Sequence, residues 1–391
     1  MSFESPEHTP ELASFLTSLP TEATSFLLPF EYMRRVKEEL LSLQKSSLTP
    51  KRTTSNRAAS PSNLHVDYRE LTCFVDFMLK RQTKYLERRG LAIPETTLSA
   101  LKELHADIRL PLSSDQTDLS LSTKKYTNCY RFLDKTSQYL LNIILKFQQE
   151  NTIDPLKQAV TLYLFKLFNS IETWERLQTA LPEQLKTDMA NTHINASVHV
   201  NTLITAVYDW AQEETRQNHK LFNDAYMLGM PTGYGTWLNM YFASLQGLIE
   251  SGDLLRVRLE PHLLERNYYI FRRYDGFGPF LSYQFVLDFS YFSTTPVDYD
   301  TFIVPGPGCQ KGMRYVFPHL KPAQMSAVLQ AMTKVGLHTV GFPRLNGLCL
   351  RGNDVQNLFC EYSKLRSGRG RAFEPAAHGL LPAPRVPASL L

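Results

Sequence analysis

The sequence predicts an all-α protein folded as two lobes. Three observations carry that expectation. Apolar residues recur at steps of three and four along most of the chain, the spacing of a helix with one buried face. Convincing runs of strict apolar–polar alternation are few. No repeat with a period of roughly 20 to 50 residues is visible, so a solenoid or propeller is not indicated. With 391 residues and 43% apolar content, the chain is long enough for one large helical core or for two lobes sharing a cleft.

Taken in order, residues 1–64 read as partly helical and then as a basic segment. From Leu40 to Asn63 the chain carries Lys45, Lys51, Arg52 and Arg57 among many Ser and Thr, with no acid between Glu39 and Asp67. That composition reads as a flexible linker, with a nuclear address as the sharper reading and a solvated connector as the plainer one. Residues 65–366 form the helical domain proper. In it, Leu156, Val160, Tyr163, Leu167, Ile171 and Trp174 share one face. Leu238, Tyr241, Phe242, Leu245, Leu248 and Ile249 share another, with Gly252 placed to stop the helix. Tyr268 to Phe271 is aromatic but too short to assign. Pro322 fits the first turn of a helix ending near Gly336. Asn353 is placed to cap the last helix, with Gln356 reaching back to it. Residues 367–391, rich in Gly, Ala, Pro and Arg, read as a disordered tail.

Composition narrows the chemistry. A formal net charge of +4 excludes a histone-like binder, so any contact with a polyanion must come from a local patch. The five cysteines are scattered, with no CxxC and no Cys/His set at zinc spacing, which argues against a disulfide framework, a metal site and an iron–sulfur cluster. Cys309 has no obvious histidine partner and reads as a small packed residue. Glu4, Glu7 and Glu11 interrupt any signal-like N-terminus. The longest apolar run, Phe285 to Phe292, is broken by Asp288 and is far short of the ~20 residues that span a bilayer. An intracellular protein without membrane contact is expected, nuclear if the source is eukaryotic. No GK[ST] follows a glycine loop, and no cofactor is expected.

The sharpest local feature is Arg272-Arg273-Tyr274-Asp275-Gly276-Phe277-Gly278-Pro279, set between two helical patterns. Gly276 and Gly278 permit a tight turn with φ > 0 and leave backbone N–H groups at the start of the next helix. Such donors, with the helix dipole and the two arginines, suit a phosphate oxygen. This is the logic of a helix–hairpin–helix that grips the DNA backbone; the plainer reading is an inter-helix turn. The turn resembles that of helix–hairpin–helix DNA glycosylases, in which an essential aspartate follows beyond one helix and a loop. Asp298 and Asp300 stand at about that separation. There the resemblance implies a carboxylate that stabilises positive charge developing on a sugar; the plainer reading is two surface acids in a loop. A lyase variant of those enzymes has a lysine just after the hairpin glycines, where this chain has Pro279 and Phe280. The stretch Pro305 to Gly312 offers a second anion-facing turn, with Lys311 and Arg314 at its rim. Asn128, Arg131, Asp134 and Gln138 fall at helical steps and form a polar stripe opposite Phe132, Leu133, Leu140, Ile143 and Ile144. Such a stripe is more often a solvated face. Glu361 and Lys364, on the last helix with Asp354 and Cys360, are spaced as a surface ion pair.

In order, these strings resemble a known family. They are Tyr126 to Arg131 with Asp134 and Gln138, Leu164 to Asn169 with Glu172-Thr173-Trp174, and the Gly276/Gly278 turn with Gln284 and Asp288. The Gly306-Pro307-Gly308 to Gly312 stretch and Cys360-Glu361-Tyr362 with Lys364 complete the set. Over roughly residues 66–366 the chain resembles the helical domain of hydroxymethyluracil DNA kinases, grouped with the α-glutamyl/putrescinyl thymine pyrophosphorylases, a branch resembling helix–hairpin–helix DNA glycosylases. The resemblance implies DNA-base modification, with a separate kinase or other modifying enzyme as partner. It implies Gly276, Gly278, Arg272, Arg273 and Lys311 at the DNA backbone. Asn128, Arg131, Asp134, Gln138, Glu361 and Lys364 would read an extruded pyrimidine, and Asp298 and Asp300 would act at the reacting centre. The competing reading is a helical module that binds DNA, or other proteins, without catalysis.

Overall fold

The computed structural model describes residues 27–46, 64–104, 113–150, 154–181, 196–223, 233–345, 347–369, 371–372 and 384–390. Most of the basic stretch (47–63) and residues 373–383 of the tail lie outside them. Fifteen α-helices are present among the described residues. They are α1 (Leu27–Ser46), α2 (Tyr68–Arg88), α3 (Glu95–Leu104), α4 (Ser114–Thr123), α5 (Lys135–Glu150), α6 (Pro155–Phe168), α7 (Ile171–Ala180) and α8 (Ala196–Arg216). After these come α9 (Trp237–Glu250), α10 (Asp253–Leu259), α11 (Leu264–Phe271), α12 (Pro279–Phe289), α13 (Pro307–Val316), α14 (Pro322–Val335) and α15 (Gly352–Arg366). A short antiparallel pair, β1 (Lys124–Lys125) with β2 (Arg371–Ala372), is the one strand pairing among them. The protein is all-α, in two compact units.

The first unit takes the described residues of 1–129, 308–350 and 357–381. Its central helix is α2, in which every residue from Glu70 to Gln82 is buried. Asp67 caps it, accepting from the N–H groups of Arg69 and Glu70. A helix buried all round must pair its polar groups internally. Glu70 accordingly accepts from Tyr362 Oη at 2.6 Å and Arg366 at 2.6 Å. Helix α1 packs on α14, with Met33 and Val36 fully buried and Tyr32 Oη donating to the Met332 carbonyl at 2.9 Å. Helix α14 begins at Pro322 and ends at Gly336, whose φ of 81° lets the chain turn away.

The second unit takes the described residues of 130–307, 351–356 and 382–391. Helices α6 and α12 form its centre, and each is buried along almost its whole length. Asp154 caps α6 ahead of Pro155, and Asn169 in the left-handed conformation ends it. Phe277, the residue between the two turn glycines, is buried beside Tyr241, Phe271 and Phe285, with ring centroids 5.0–5.8 Å apart. The turn is thus plugged into the core by its own apolar residue.

Several expectations are corrected. The segment expected as a linker is still helical from Leu40 to Ser46, because Leu40 continues the buried stripe of α1. Residues 384–390 of the expected tail are packed: Ser389 and Leu390 are buried, and Ser389 bonds Tyr299 Oη at 2.8 Å. The apolar stripe from Leu156 to Trp174 belongs to two helices, broken at Asn169-Ser170, where Ser170 caps α7. Tyr268 to Phe271 closes a helix, α11. Asn353 is not the cap of α15, which starts one residue earlier; Asp300 accepts from Gly352 N at 2.9 Å and Asp354 from Arg351 N at 2.9 Å instead. Gly306 to Gly312 is not an open anion loop, since Pro307 onward is helical. A Cβ on Gly312 would lie 1.9 Å from the Phe359 carbonyl oxygen, and one on Gly308 would lie 2.6 Å from Cys360 Sγ. These two glycines let α13 approach α15 closely.

Candidate functional site

The second unit encloses a lattice of charge. Arg131 sits in a short 3₁₀ turn, Arg131–Leu133, just ahead of α5. Its guanidinium donates to Gln284 Oε1 at 2.6 Å and to Asp288 Oδ1 at 2.8 Å, both on α12. Asp288 gives its other oxygen to Lys166 Nζ on α6, at 2.6 Å. The side chain of Lys166 is 1% exposed and that of Asp288 7%, so these charges are out of water. Burial raises the Asp288 carboxyl, but the charges and hydrogen bonds of Lys166 and Arg131 outweigh it and hold the group below its ordinary value.

Asp354, in the first turn of α15, adds a second carboxyl. It accepts from Arg131 N at 2.7 Å and Arg351 N at 2.9 Å, fixing the backbone that carries Arg131. Burial pushes it up to about 7, against the pull of both N–H donors and of the Arg131 charge. Two cations are therefore faced by one firmly ionised acid and one that releases its proton near neutrality. Such an arrangement holds a guanidinium rigidly, and perturbed carboxyls of this kind are more frequent at functional sites than elsewhere.

The Gly276 turn leads into α12, the helix that carries Gln284 and Asp288. Gly276 has φ 81°, and a Cβ there would meet Tyr241 at 2.7 Å. Gly278 differs: its φ is −65°, it is exposed, and a Cβ would meet nothing within 4 Å. The turn is tied down by Tyr241 Oη to the Gly276 carbonyl (3.2 Å) and Ser244 Oγ to the Asp275 carbonyl (2.8 Å). Phe277 N and Gly278 N are used inside the turn, on the carbonyls of Tyr274 and Gly276. Both expected donors are thus engaged. Arg272 donates to the Phe277 carbonyl, while Arg273 pairs with Asp253 at 2.5 Å; both residues remain exposed.

The other expected site residues divide. Asn128, Arg131, Asp134 and Gln138 do not share a helical stripe, because α5 begins only at Lys135. The Asp134 carbonyl receives the first bond of α5, from Gln138 N. Gln138 is occupied by the Phe132 carbonyl and by both backbone groups of Arg385. Asp298 accepts from Asp300 N, Thr301 N and Thr301 Oγ1, and Asp300 from Gly352 N and Arg351. Both aspartates have structural duties in a loop. Lys311 lies in the second turn of α13, exposed.

In the first unit, Glu361 and Lys364 are not a surface pair. Glu361 is 1% exposed and accepts from Lys364 Nζ at 2.5 Å and Thr127 N at 3.3 Å. Asn357 Nδ2 donates to Thr127 Oγ1 at 2.9 Å and to the Asn128 carbonyl at 3.4 Å. Sequence reasoning missed Gln284, Asp288 and Asp354 as partners of Arg131, and Lys166 as the second partner of Asp288. The available signals were slight: a lysine inside the apolar run of α6 and an aspartate that breaks the apolar run of α12.

These features define an all-α protein with a partly buried, charge-fixed arginine held on the helix that a core-plugged inter-helix turn opens. The chain belongs to the family described as 5-hmdU DNA kinase, helical domain, whose family model matches residues 102–371. That span holds Arg131, Lys166, the Gly276 turn, Asp288 and Asp354. No curated protein and no solved structure matches the chain. No helix among the described residues is long and apolar enough to cross a membrane.

Proposed function

We propose that the chain binds DNA and recognises a hydroxymethylated pyrimidine, serving as a recognition module beside a separate kinase or other base-modifying enzyme. The observation that carries this reading is the Arg131–Gln284–Asp288–Lys166 lattice, held on the helix that the Gly276 turn opens, within a member of a 5-hmdU DNA kinase helical-domain family. The open edge at Gly278, with Arg272 and Arg273 exposed beside it, supplies a place for a phosphate backbone. Arg131, held in place on Gln284 and Asp288 with part of its side chain still exposed, would present a positioned positive charge to a base extruded from the stack. The carboxylates of Asp298 and Asp300, tied to backbone N–H groups of their own loop and of Gly352, favour recognition over catalysis by these two residues.

Fluorescence anisotropy with otherwise identical duplexes containing thymine or hydroxymethyluracil tests this reading. Salt-sensitive binding, tighter for the hydroxymethylated duplex, is expected. Gly278→Val should leave the thermal midpoint in place and weaken binding about tenfold or more, the loss of one or two backbone contacts. Wild-type protein that fails to bind at low salt, or a Gly278→Val variant that binds unchanged, would refute the interface.

A further inference from the structure

Among the described residues, two large aromatic residues stand exposed to solvent, Trp237 at 42% and Tyr269 at 58%. Both belong to helices that border the Gly276 turn. Trp237 is the first residue of α9, which Thr236 caps by accepting from Asn239 N at 3.2 Å. Met240 and Tyr241, three and four positions on, are the side chains that a Cβ on Gly276 would meet. Helical spacing therefore puts Trp237 on the same face of α9 as these two, one turn of helix along. The loop ahead of it is tied to the same place, with Tyr234 Oη donating to Asp275 Oδ2 at 2.6 Å. Across the turn, Tyr269 lies on α11 three residues before Arg272, which donates to the Phe277 carbonyl. The Tyr269 ring meets the buried Tyr268 edge-on, with centroids 5.1 Å apart. Tyr269, Arg272, the exposed Gly278 and Trp237 thus border one turn of the second unit.

We propose that this stretch takes DNA as a single strand, with unpaired bases stacked on Trp237 and Tyr269 and the strand's phosphates at Arg272 and the Gly278 edge. The proposal rests on the DNA-binding reading above and names the form of DNA that the turn receives. Charge favours a polyanion there. Arg256 and Arg273 share the single carboxylate of Asp253, at 3.0 and 2.5 Å, and Arg272 bonds a carbonyl instead of an acid. Those three cations face two acids, Asp253 and Asp275. The rings supply what the charge does not. Every base has a flat apolar face, so stacking on an aromatic side chain holds a strand whatever its sequence. A closed duplex hides those faces in its own stack, and the two rings have nothing to receive from it. An opened strand or an extruded base offers them.

Intrinsic fluorescence reads the stacking directly. Of the three tryptophans, Trp174 is buried and Trp210 half-buried, which leaves Trp237 as the exposed emitter. Oligothymidine should quench that emission and shield it from acrylamide, and the Trp237→Phe protein should lose both effects. Anisotropy of labelled oligothymidine and of a duplex of equal length, at low salt, then reads affinity. Wild type should prefer the single strand. Trp237→Ala and Tyr269→Ala should each weaken single-strand binding about tenfold and leave duplex binding nearly unchanged. Trp237→Phe, which keeps a ring, should retain most of the affinity and guards against a folding defect in the alanine variant. Gly278→Val should weaken both forms. A protein that binds DNA while Trp237 emission and acrylamide quenching stay the same overturns the stacking proposal and leaves the backbone interface standing. Alanine variants that weaken strand and duplex equally overturn it as well. A wild type that binds neither form overturns the DNA reading and this proposal with it.

Discussion

Asp288 divides its two oxygens between Lys166 and Arg131, so its removal leaves one buried and one partly buried cation with no ionised partner between them. Breaking such a pair from one side typically costs ~3–5 kcal/mol. Asp288→Asn should therefore lower stability by that order in chemical denaturation, and replacing Lys166 with Met in the same protein should recover part of it. A double variant no more stable than Asp288→Asn would show that Lys166 does not depend on this carboxylate. Asp354 has the opposite tendency, its proton held up to about 7 by burial. Its unfolded value is near 3.9, so the stabilisation it contributes is fully present below about pH 4 and is lost as pH rises towards 7. Melts of the wild type and Asp354→Asn across pH 4 to 8 should differ in slope over that window; parallel curves would mean that the carboxyl ionises normally. Neither residue is conspicuous in the sequence. Asp288 appears there as a break in an apolar run and Asp354 as one acid on a helix, because burial and the approach of Arg131 are properties of the packed chain.

At the scale of elements, glycines decide two close contacts, for different reasons. Gly276 is required by its positive φ and by Tyr241 and Met240, which a Cβ would meet at 2.7 and 2.8 Å. Gly312 has ordinary helical geometry but touches the backbone of α15 through Phe359. Gly276→Ala should cost about 1–2 kcal/mol for the backbone alone, with the clash in addition. Gly312→Ala should cost about 1–3 kcal/mol through overpacking, since a backbone carbonyl cannot rotate away as a side chain can. Urea titration measures both; a neutral Gly312→Ala would mean that α13 and α15 separate easily. The Gly276 turn was legible in the sequence, because a glycine pair between two helical patterns has few other uses. The role of Phe277 was not. That an apolar turn residue points inwards depends on Phe271, Phe285 and Tyr241 meeting around it from three helices.

At the scale of the molecule, segments distant in sequence complete each unit. Residues 384–390 return to the second unit, where Ser389 bonds Tyr299 and Leu390 is buried. The Ser389 carbonyl also accepts from Val297 N at 2.9 Å. Deleting residues 384–391 should destabilise by about 2 kcal/mol or more, from one buried leucine, the hydrogen bonds of Ser389 and those of Arg385 to Gln138. A truncated protein with an unchanged midpoint would show that the returning segment is only loosely held.

The sequence by itself determined that the chain is helical, where several of its helices start and stop, and which family motifs it carries. Helical periodicity, first-turn prolines and helix-ending glycines act over a few residues, so local order is enough to read them. The tertiary structure decided which polar residues meet. It placed Arg131 with Gln284, Asp288, Lys166 and Asp354, gave Asp298 and Asp300 structural work, and buried Glu361. The physical reason is that a charge is tuned by burial and by partners a hundred or more residues away, and no spacing along the chain records either.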